Sequence, residues 1–487
     1  MPSDKKVVTR FAPSPTGFMH IGGVRTALFA WLWARKNGGT FILRIEDTDK
    51  EREVAGSIEH IIESLSWIGI SWDFGPDKPG PFGSCIQSER LPIYKKYAEE
   101  LIAKGYAYPD PYTDEEVSAF REAAQEEKRP FLFRNHRPDT FLPWDGSKPL
   151  RLKVPEVKRY TWHDAVRGEL SAGEEMVDDI VLIKSDGYPT YNFAHIIDDL
   201  EMGVTHIMRG EEFISSMPKF LSIYDALGVS YPIFATLPPI LRDDRTKKLG
   251  KRDGAKDILE YRTEGFLPDT MRNFLALTGW NPGTEAELFD SEALTAAFTL
   301  EGIQRSGAVF NEEKLLWMNK EYLQKLPVAE QTAYINDVIS NSSRATAYTD
   351  ETKLSQILPL IIERTHNKID IAETIEGGEF DWVFNTPEYE TSTLAWKKDP
   401  SVTDALPRLI MATELLEKAD FSSPDSIKAA LWDYAEATGR GEVLWPTRVA
   451  LTGRERSPDP FTCSHILGKE ETSARLKLAC DKIEGNA

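Results

Sequence analysis

A histidine and two glycines near the start of the chain form the first group of residues that could do chemistry. His20 precedes Gly22 and Gly23, and the apolar residues after them recur at the spacing of one helix face. Glycines let backbone N–H groups approach an anion closely, and the positive end of the helix dipole lies at the same place. With His20 as a hydrogen-bond donor, the pattern predicts a site for phosphoryl oxygens. The glycines could equally serve close packing of the helix on a sheet.

Two charged side chains lie where predicted strands end. Glu46 directly follows the strand predicted at residues 40–45, and Arg209 ends another at 205–209. Because α/β sheets bind ligands at the carboxyl ends of their strands, both are candidates for contacts with a charged ligand. Arg209 could instead pair with a neighbouring glutamate. The basic run at 241–256 could bind phosphate or be a solvated loop.

The elements that must position these residues begin with a strand, a helix and a second strand. The first strand is predicted at 7–11, the helix begins at Ile21 and ends before Gly38, and the second strand covers 40–45. This strand–helix–strand unit predicts a parallel sheet. Further strands are predicted at 150–155, 179–184 and 205–209, and helices at 91–104, 113–127 and 191–202, with another helix beginning at 210–212.

Five segments resemble, in order and spacing, the motifs of bacterial-type glutamyl-tRNA synthetases, which are class I aminoacyl-tRNA synthetases. They are FAPSPTGFMHIGG at 11–23, RIEDTD at 44–49, DGYPTYNFA at 186–194, VTHIMRGEE at 204–212 and KKLGKRDG at 247–254. Five ordered matches are far more specific than one short motif. The resemblance continues more weakly to the C-terminus. It implies ATP-dependent ligation of L-glutamate to the 3′ end of its tRNA, by way of a glutamyl-adenylate, in translation.

The resemblance implies that the first and last of these motifs act on ATP, with Mg²⁺ bridging its phosphates. The implied ATP-binding residues are His20, Gly22, Gly23 and Lys251, and Lys248 joins them in the catalytic set. No protein nucleophile is needed, because catalysis is positioning together with stabilisation of charge on phosphoryl oxygens. Two positions depart from the usual motifs. Gly23 stands where many class I enzymes have a histidine, and Gly250 replaces a serine, which removes one hydroxyl contact and makes the loop less stiff.

The resemblance also implies a glutamate pocket, whose residues are Arg10, Ala12, Ser14, Glu46, Tyr191, His195 and Arg209. In this pocket Arg10 and Arg209 would hold carboxylates, Glu46 would take the α-ammonium group, and Tyr191 would donate from its hydroxyl. An arginine pairs bidentately with a carboxylate, whereas the amide of glutamine would bring a donor against a donor. His195 stands where relatives often have an asparagine or a small apolar residue, so its part stays open.

The pattern changes from mixed to helical after about residue 310. Helices are predicted at 328–340, 352–365, 404–418 and 426–438. This half resembles the anticodon-binding region of bacterial glutamyl enzymes, and its basic residues Arg364, His366 and Lys368 are candidates for tRNA contact. The predicted fold class is therefore α/β: a Rossmann-type parallel-sheet catalytic domain with an inserted subdomain, followed by an all-α anticodon-binding region.

Four regions follow from these patterns and from the resemblance. They are a catalytic domain at 1–104 and 180–240, an inserted acceptor-end-binding subdomain at 105–179, a stem-contact region with the lysine-rich loop at 241–320, and a helical anticodon-binding domain at 321–487. The length of 487 residues suits about three domains.

The overall charge is acidic, with 58 Lys and Arg against 78 Asp and Glu, a net charge of −20. This argues against a protein that binds nucleic acid over its whole surface, because phosphate neutralisation needs basic groups. A tRNA partner therefore requires a local basic face. The three cysteines, Cys85, Cys463 and Cys480, are few and widely spaced, which predicts free thiols in a reducing compartment. No long apolar run is present, so we expect a cytoplasmic protein without a membrane partner. We also expect a monomer.

We expect no structural zinc. In some glutamyl-tRNA synthetases a cysteine pair in the inserted segment binds zinc, but here that place is taken by YPDPY at 108–112, and no cysteine lies between Cys85 and Cys463. Thiolates are the core ligands of such sites. His136 and His163 are expected to be surface or packing residues.

Three other functions fit part of the sequence. A shorter relative glutamylates a modified tRNA base, but it lacks a helical C-terminal half. Glutaminyl-tRNA synthetase shares the catalytic frame but usually has a β-barrel C-terminal region. The chain could also be a non-catalytic RNA-binding or regulatory protein on an inherited scaffold, which the presence of His20, Lys251, Glu46, Arg10 and Arg209 argues against. Whether glutamine tRNA is also charged stays open.

Overall fold

The computed structural model describes residues 6–242, 244, 247–249 and 256–485 of the chain. These residues form two compact units that divide between Met318 and Asn319. The predicted residues Gly250 and Lys251 lie outside the described residues.

The first unit mixes strands and helices. Its strands are β1 (Val8–Phe11), β2 (Thr40–Leu43), β3 (Ala107–Pro109), β4 (Leu150–Leu152), β5 (Tyr160–Asp164), β6 (Gly168–Ala172), β7 (Val181–Ile183), β8 (His206–Gly210), β9 (Ile233–Leu237), β10 (Ile240–Leu241) and β11 (Ala308–Val309). Its longer helices are α1 (Ile21–Lys36), α2 (Ser57–Trp67), α3 (Leu91–Ala103), α4 (Asp114–Glu126), α5 (Tyr191–Glu201), α6 (Met217–Leu227), α7 (Ile258–Thr263), α8 (Pro268–Leu277) and α9 (Ser291–Ala297).

The parallel strands lie side by side at the centre of this unit. β1 pairs with β2 from Val8–Thr40 to Phe11–Leu43, and β8 pairs with β9 in the same parallel sense. The Thr205 N–H donates to the Val8 carbonyl at 2.9 Å, so β1 lies beside the start of β8. The predicted parallel sheet is confirmed, and it brings the ends of β1, β2 and β8 to one edge.

Strand pairing does not follow the predicted boundary between the inserted subdomain, which ends at residue 179, and the catalytic domain, which resumes at residue 180. β5, within the predicted insertion, pairs with β9 of the main sheet. β7, just after the insertion, pairs with β4 in a small antiparallel sheet that also contains β3. The segment thus contributes to both sheets, and the four domain boundaries stay predictions.

The two ends of helix α1 are fixed by the residues next to them in the sequence. His20 is its N-cap, and Asn37 and Gly38 follow its last turn. The next residue, Gly39, has no room for a side chain, because a Cβ there would lie 2.4 Å from the Val7 carbonyl oxygen. Glycine at this point lets the chain turn back against β1 and enter β2.

The helix expected to begin at Gly210–Glu212 begins later. Residues Glu211–Ser216 form a 3₁₀ turn, and α6 starts at Met217. Pro218 explains the difference, since proline lacks an N–H and suits the first turn of a helix but would interrupt one that had started at Glu211.

Among its described residues the second unit has no strand, and its α-helices are joined by turns and short 3₁₀ segments. They are α11 (Val328–Ser340), α12 (Glu351–Arg364), α13 (Lys368–Glu376), α14 (Asp381–Phe384), α15 (Leu406–Glu417), α16 (Pro424–Thr438), α17 (Arg440–Thr452) and α18 (Pro460–Gly485), and α10 (Glu312–Lys325) runs through the division between the units. Buried apolar residues of these helices, such as Leu409, Leu431 and Leu451, form one core. The four predicted helices of this half are confirmed.

Cys85, Cys463 and Cys480 are free cysteines, as predicted. Of the helices described, none has the length and apolar character needed to cross a membrane.

Candidate active site

The loop before α1 is built around the His20 ring. Its Nδ1 accepts a hydrogen bond from the Gly22 N–H at 3.1 Å, so the neutral ring carries its proton on Nε2. A Cβ at Gly22 would lie 2.9 Å from His20 Cε1, and one at Gly23 would lie 3.2 Å from Met19 Cε. The two glycines therefore make room for the side chains that precede the helix.

The amides of these glycines are already engaged. The Gly22 N–H donates to the His20 ring, and the Gly23 N–H donates to the His20 carbonyl at 3.0 Å. Both donors are thus used within the loop, which favours the packing interpretation of Gly22 and Gly23 over direct binding of an anion by their amides.

A cavity of about 220 Å³ opens at this loop. Its wall is formed by the start of α1, the chain after β8, the segment from Leu237 to Ile240, and Lys248 with Leu249. His20, Gly22, Gly23 and Lys248 therefore share one cavity, although Lys248 is more than 220 residues away in sequence. Lys248 Nζ is 3.2 Å from Glu212 Oε2, and both side chains are exposed.

A network of buried charges lies at the ends of β1 and β2. Asp199 accepts from Arg10 Nε at 3.0 Å and from Arg44 Nη1 at 2.7 Å. Arg44 Nη2 also donates to Glu46 Oε1 at 3.0 Å. Burial alone would raise the pKa of Asp199, but the guanidinium groups of Arg10 and Arg44 hold that pKa well below its usual value.

Glu46 differs from Asp199 in its proton affinity. Burial raises the pKa of Glu46 to about 7, against the opposing influence of Arg44 and Arg10. Its backbone N–H donates to the Pro13 carbonyl at 3.0 Å, which holds the loop containing Ala12 and Ser14 against it. In that loop Ala12 is half-buried and Ser14 is exposed.

Arg209 lies near the end of β8 and is buried. Its guanidinium lies 4.8 Å from the ring centre of Phe220 and 5.2 Å from that of Phe234. Among the described residues no hydrogen-bond partner meets Nη1, and no carboxylate lies within 4.0 Å of the group; Nη2 contacts the sulfur of Met217. Burial lowers the pKa of Arg209. A guanidinium that is buried and has no carboxylate partner is suited to a carboxylate ligand.

His195 and Tyr191 lie on the same helix, α5. The His195 ring is 4.8 Å from the Tyr191 ring and 4.6 Å from that of Phe220, centre to centre. His195 Nδ1 is 3.9 Å from Asp199 Oδ2, too far for a hydrogen bond, and both ring nitrogens are buried without a partner among the described residues. Burial lowers the pKa of His195 to about 4, so the ring is neutral at pH 7.

Burial also raises the pKa of Tyr191, so its hydroxyl keeps its proton and can donate. The seven residues expected around glutamate come from β1 and the loop after it, the residues after β2, α5 and β8. Hydrogen bonds connect Arg10 to Asp199, and Glu46 to Arg44, which is itself a partner of Asp199. His195 lies beside this network, with Nδ1 3.9 Å from Asp199. Arg209 and His195 are connected through Phe220.

The three basic residues proposed for tRNA contact all have acidic neighbours. His366 Nδ1 is 2.6 Å from Asp370 Oδ2, Arg364 pairs with Glu379, and Lys368 pairs with Asp337. Their charges are thus offset within the second unit, which weakens the basic cluster that the sequence suggested.

The other predicted histidines are a packing and a surface residue, as expected. His136 stacks on Phe120 with ring centres 4.1 Å apart, and His163 is exposed beside Glu169. In the described part of the chain no group of three or more His, Cys, Asp or Glu side chains is arranged to hold a metal ion. The absence of zinc stays a prediction.

Sequence reasoning missed Arg44, Asp198 and Asp199. Arg44 follows three buried apolar residues of β2, and the two aspartates follow the apolar run of α5. Asp198 is also buried and accepts from Arg90 Nε at 2.7 Å and from the Tyr94 hydroxyl at 2.8 Å. A charge placed inside an apolar run is the signal that could have found them, because a buried charge requires a partner.

Comparison with known proteins decides the family. The sequence model of the catalytic domain of class I tRNA synthetases (E and Q) matches residues 6–317, and that of an anticodon binding domain matches residues 321–480. Glutamate–tRNA ligases of Clostridium kluyveri and Dehalococcoides mccartyi are each 38% identical to this chain, with 98% of both chains covered. The chain belongs to the glutamate–tRNA ligase family of class I tRNA synthetases.

Solved structures agree with this family. A glutamate tRNA ligase from Elizabethkingia meningosepticum, crystallised in complex with its amino acid, superposes with a TM-score of 0.85 at 36% identity. A glutamate-tRNA synthetase from Elizabethkingia anophelis gives 0.83 at 34% identity. Each comparison covers 98% of this chain and 100% of the other.

The expected resemblance and fold class are therefore confirmed. Like its family, the chain is an ATP-using ligase that acts in translation by charging tRNA. The similarity to glutamate–tRNA ligases covers 98% of their length, which distinguishes this chain from the shorter relative that modifies a tRNA base.

Proposed function

We propose that this chain joins L-glutamate to the 3′ end of its tRNA in two steps, with glutamyl-adenylate as the intermediate. The observation that carries the choice of amino acid is the Arg209 guanidinium, which is buried and has no carboxylate partner among the described residues. Glutamate supplies such a carboxylate. The full-length similarity to glutamate–tRNA ligases supports the same substrate.

Arg209 and Arg10 have unequal roles in this proposal. Asp199 already accepts from Nε and Nη2 of Arg10, at 3.0 and 3.4 Å, so Arg10 has less of its donor set left for a ligand. Arg209 therefore makes the principal contact with one glutamate carboxylate, and Arg10 contributes positive charge beside it. Tyr191 donates its hydroxyl, His195 borders the pocket as a neutral ring, and Ala12 and Ser14 line the edge nearest Glu46.

Glu46 receives the α-ammonium group of the amino acid. Its carboxylate lies beside Arg44, and Glu46 stands three positions after Leu43, the last residue of β2. An ammonium group adds the positive charge that keeps the buried carboxyl ionised. The pocket then meets the ammonium group with Glu46 and one carboxylate with Arg209, beside the positive charge of Arg10.

In the first step an oxygen of the glutamate α-carboxylate attacks the α-phosphorus of ATP, and the bond to the β-phosphate oxygen breaks to release pyrophosphate. Negative charge builds on the phosphoryl oxygens. This charge is stabilised by the Nε2–H of His20 and by the ammonium groups of Lys248 and Lys251. Gly22 and Gly23 shape the cavity around the phosphates. Mg²⁺ would supply neutralisation of phosphate charge when bound, and the carboxylates that could hold it are Glu211 and Glu212 in the same cavity, which here pair with Arg167 and Lys248.

In the second step a ribose hydroxyl of the terminal adenosine attacks the acyl carbon, and AMP leaves. We assign tRNA contacts to three regions: residues 105–179 to the acceptor end, 241–320 to the stem, and 321–487, including Arg364, His366 and Lys368, to the anticodon. We further propose that the enzyme is a cytoplasmic monomer.

The test is pyrophosphate exchange with ATP, glutamate and tRNA, followed by charging of purified glutamate and glutamine tRNAs. Glutamate-dependent exchange and charging of glutamate tRNA are expected. No exchange under any condition would contradict the proposal and favour a non-catalytic RNA-binding role. Charging of glutamine tRNA as well would widen the tRNA specificity without changing the amino acid.

A further inference from the structure

His60 contacts both segments that flank the proposed ATP site. It lies on α2, and its Nε2 is 2.9 Å from Oδ1 and 2.8 Å from Oδ2 of Asp257. Asp257 is the residue before α7, six positions after Lys251 in the sequence. The His60 side chain is only 12% exposed, so this contact is largely shielded from water.

The Nδ1 edge and one face of the His60 ring contact the segment that leads to His20. The Met19 N–H donates to His60 Nδ1 at 3.3 Å, and the Phe18 ring stacks on the imidazole with centres 4.7 Å apart. The Met19 carbonyl in turn accepts from the Ile258 N–H at 3.0 Å. The segments before His20 and before α7 are thus bonded to each other and to the same imidazole.

The hydrogen bonds fix the form of this ring. Because an N–H donor meets Nδ1, that nitrogen holds a lone pair, and the neutral ring carries its proton on Nε2. Nε2 therefore donates to Asp257. Nδ1 also lies 3.3 Å from the Ser64 hydroxyl oxygen on α2 itself. Of the two flanking segments, each nitrogen serves one, so a residue with only one correctly placed polar atom could hold only one of them.

Asp257 is itself fixed to α7. Its Oδ1 accepts from the Leu259 N–H at 2.8 Å, and its own N–H donates to Glu260 Oε1 at 3.0 Å. This reciprocal capping box makes the carboxylate a rigid part of the helix start. A displacement of Asp257 would therefore move the first turn of α7 with it.

We propose that His60 is a positioning residue for glutamate activation, which holds the His20 loop and the chain that follows Lys251 at one fixed separation. The inference rests on the proposed function, since it assigns His20 and Lys251 to the phosphates of ATP. It concerns a side chain outside the phosphate cavity, which acts through the two loops it joins. Its loss should slow the chemical step, because small misplacements of groups that stabilise a transition state are costly.

Two substitutions separate the two hydrogen bonds. In His60→Gln the amide NH₂ can replace Nε2 and keep the bond to Asp257, whereas in His60→Asn the amide oxygen can replace Nδ1 and keep the bond to Met19. Pyrophosphate exchange with saturating tRNA should show kcat lowered at least about tenfold in His60→Asn and less in His60→Gln. The KM for glutamate and the Kd for tRNA should stay within about twofold in both, since the pockets for these ligands are untouched.

The matched controls are His163→Gln and His163→Asn, which change an exposed histidine paired with Glu169 in the same unit. A further control is Glu63→Gln, which removes the exposed ion pair of Glu63 with Arg262, a second link between α2 and α7. These three variants should keep the wild-type kcat.

Wild-type kcat in both His60 variants would overturn the inference. So would parallel losses of kcat, tRNA affinity and thermal midpoint, which would make His60 a general stabilising residue. Absence of exchange by the wild-type enzyme would instead refute the proposed function, on which this inference rests.

Discussion

The Arg10 guanidinium donates to the Asp199 carboxylate through Nε at 3.0 Å and Nη2 at 3.4 Å, across 189 residues of sequence. Both side chains are buried. A residue expected to bind the carboxylate of a substrate thus already binds one from its own chain. For this reason the proposed pocket assigns the principal substrate contact to Arg209, with Asp199 as the carboxylate that pairs with both Arg10 and Arg44.

Asp199→Asn should destabilise the first unit by roughly 3–5 kcal/mol, because Arg10 would lose the buried carboxylate it pairs with, and Arg44 would keep only Glu46 and Asp198. Urea denaturation followed in this unit measures the change. The control is Glu169→Gln, which removes an exposed partner of His163 and should cost less than about 1 kcal/mol. Equal effects of the two substitutions would show that the Asp199 network does not stabilise the fold.

Arg209→Gln should reduce activation of glutamate by roughly 2–4 kcal/mol in kcat/KM, the scale for truncating one partner of a buried charge pair. The KM for ATP should change little. Arg10→Gln should lower both activity and stability, since it also breaks the pair with Asp199.

Steady-state exchange with glutamate and glutamine tests both arginines. The control is Arg159→Gln, at an exposed arginine on the same unit. If both pocket variants keep the glutamate-to-glutamine preference, specificity is determined by other residues.

The kcat/KM for glutamate should rise with pH through about 7, because burial raises the pKa of Glu46 to about 7. Below that pH the carboxyl is neutral and attracts the α-ammonium group weakly, and above it the carboxylate forms. Exchange rates between pH 5.5 and 8.5 check this. The inflection should be absent in Glu46→Gln, and an inflection that persists there would belong to another group.

His20→Ala and Lys251→Ala should each slow adenylate formation by about 100-fold, the usual effect of removing one donor to a developing oxyanion. Their affinity for tRNA should remain close to that of the wild type, since the lost interaction forms mainly in the transition state. Single-turnover activation and a tRNA binding assay separate the two effects. A variant that activates normally and binds tRNA weakly would move that residue to an RNA surface.

Purified protein should contain no stoichiometric zinc, because the segment Tyr108–Tyr112 lacks the thiolates used by zinc-binding relatives. Elemental analysis after dialysis measures the content. About one zinc per chain would contradict the prediction, and substitution of His136 would then test whether a histidine is a ligand.

Local features of the fold could be predicted because their causes lie within a few residues. Thr113 and Glu116 form the capping box that starts α4, and the helix was predicted from residue 113. The apolar periodicity of the C-terminal half predicted its helices, and Gly38 predicted the end of α1. Motif order in the first 254 residues was enough to identify the family.

The start of α6 shows a limit within local sequence. The change in pattern after β8 was visible, but the 3₁₀ turn at Glu211–Ser216 delays the helix to Met217, where Pro218 suits the first turn. Boundaries of this kind depend on small differences between competing backbone conformations.

The charge pairs of the pocket were decided by tertiary structure alone. Arg10, Arg44 and Asp199 come from β1, the end of β2 and α5, and only the parallel sheet brings these segments together. The sequence by itself determined which side chains are available for glutamate and ATP. Whether a given guanidinium already has a partner, as Arg10 does, depends on which distant carboxylate is buried beside it, because charges removed from water must be neutralised by whatever groups the fold places within reach.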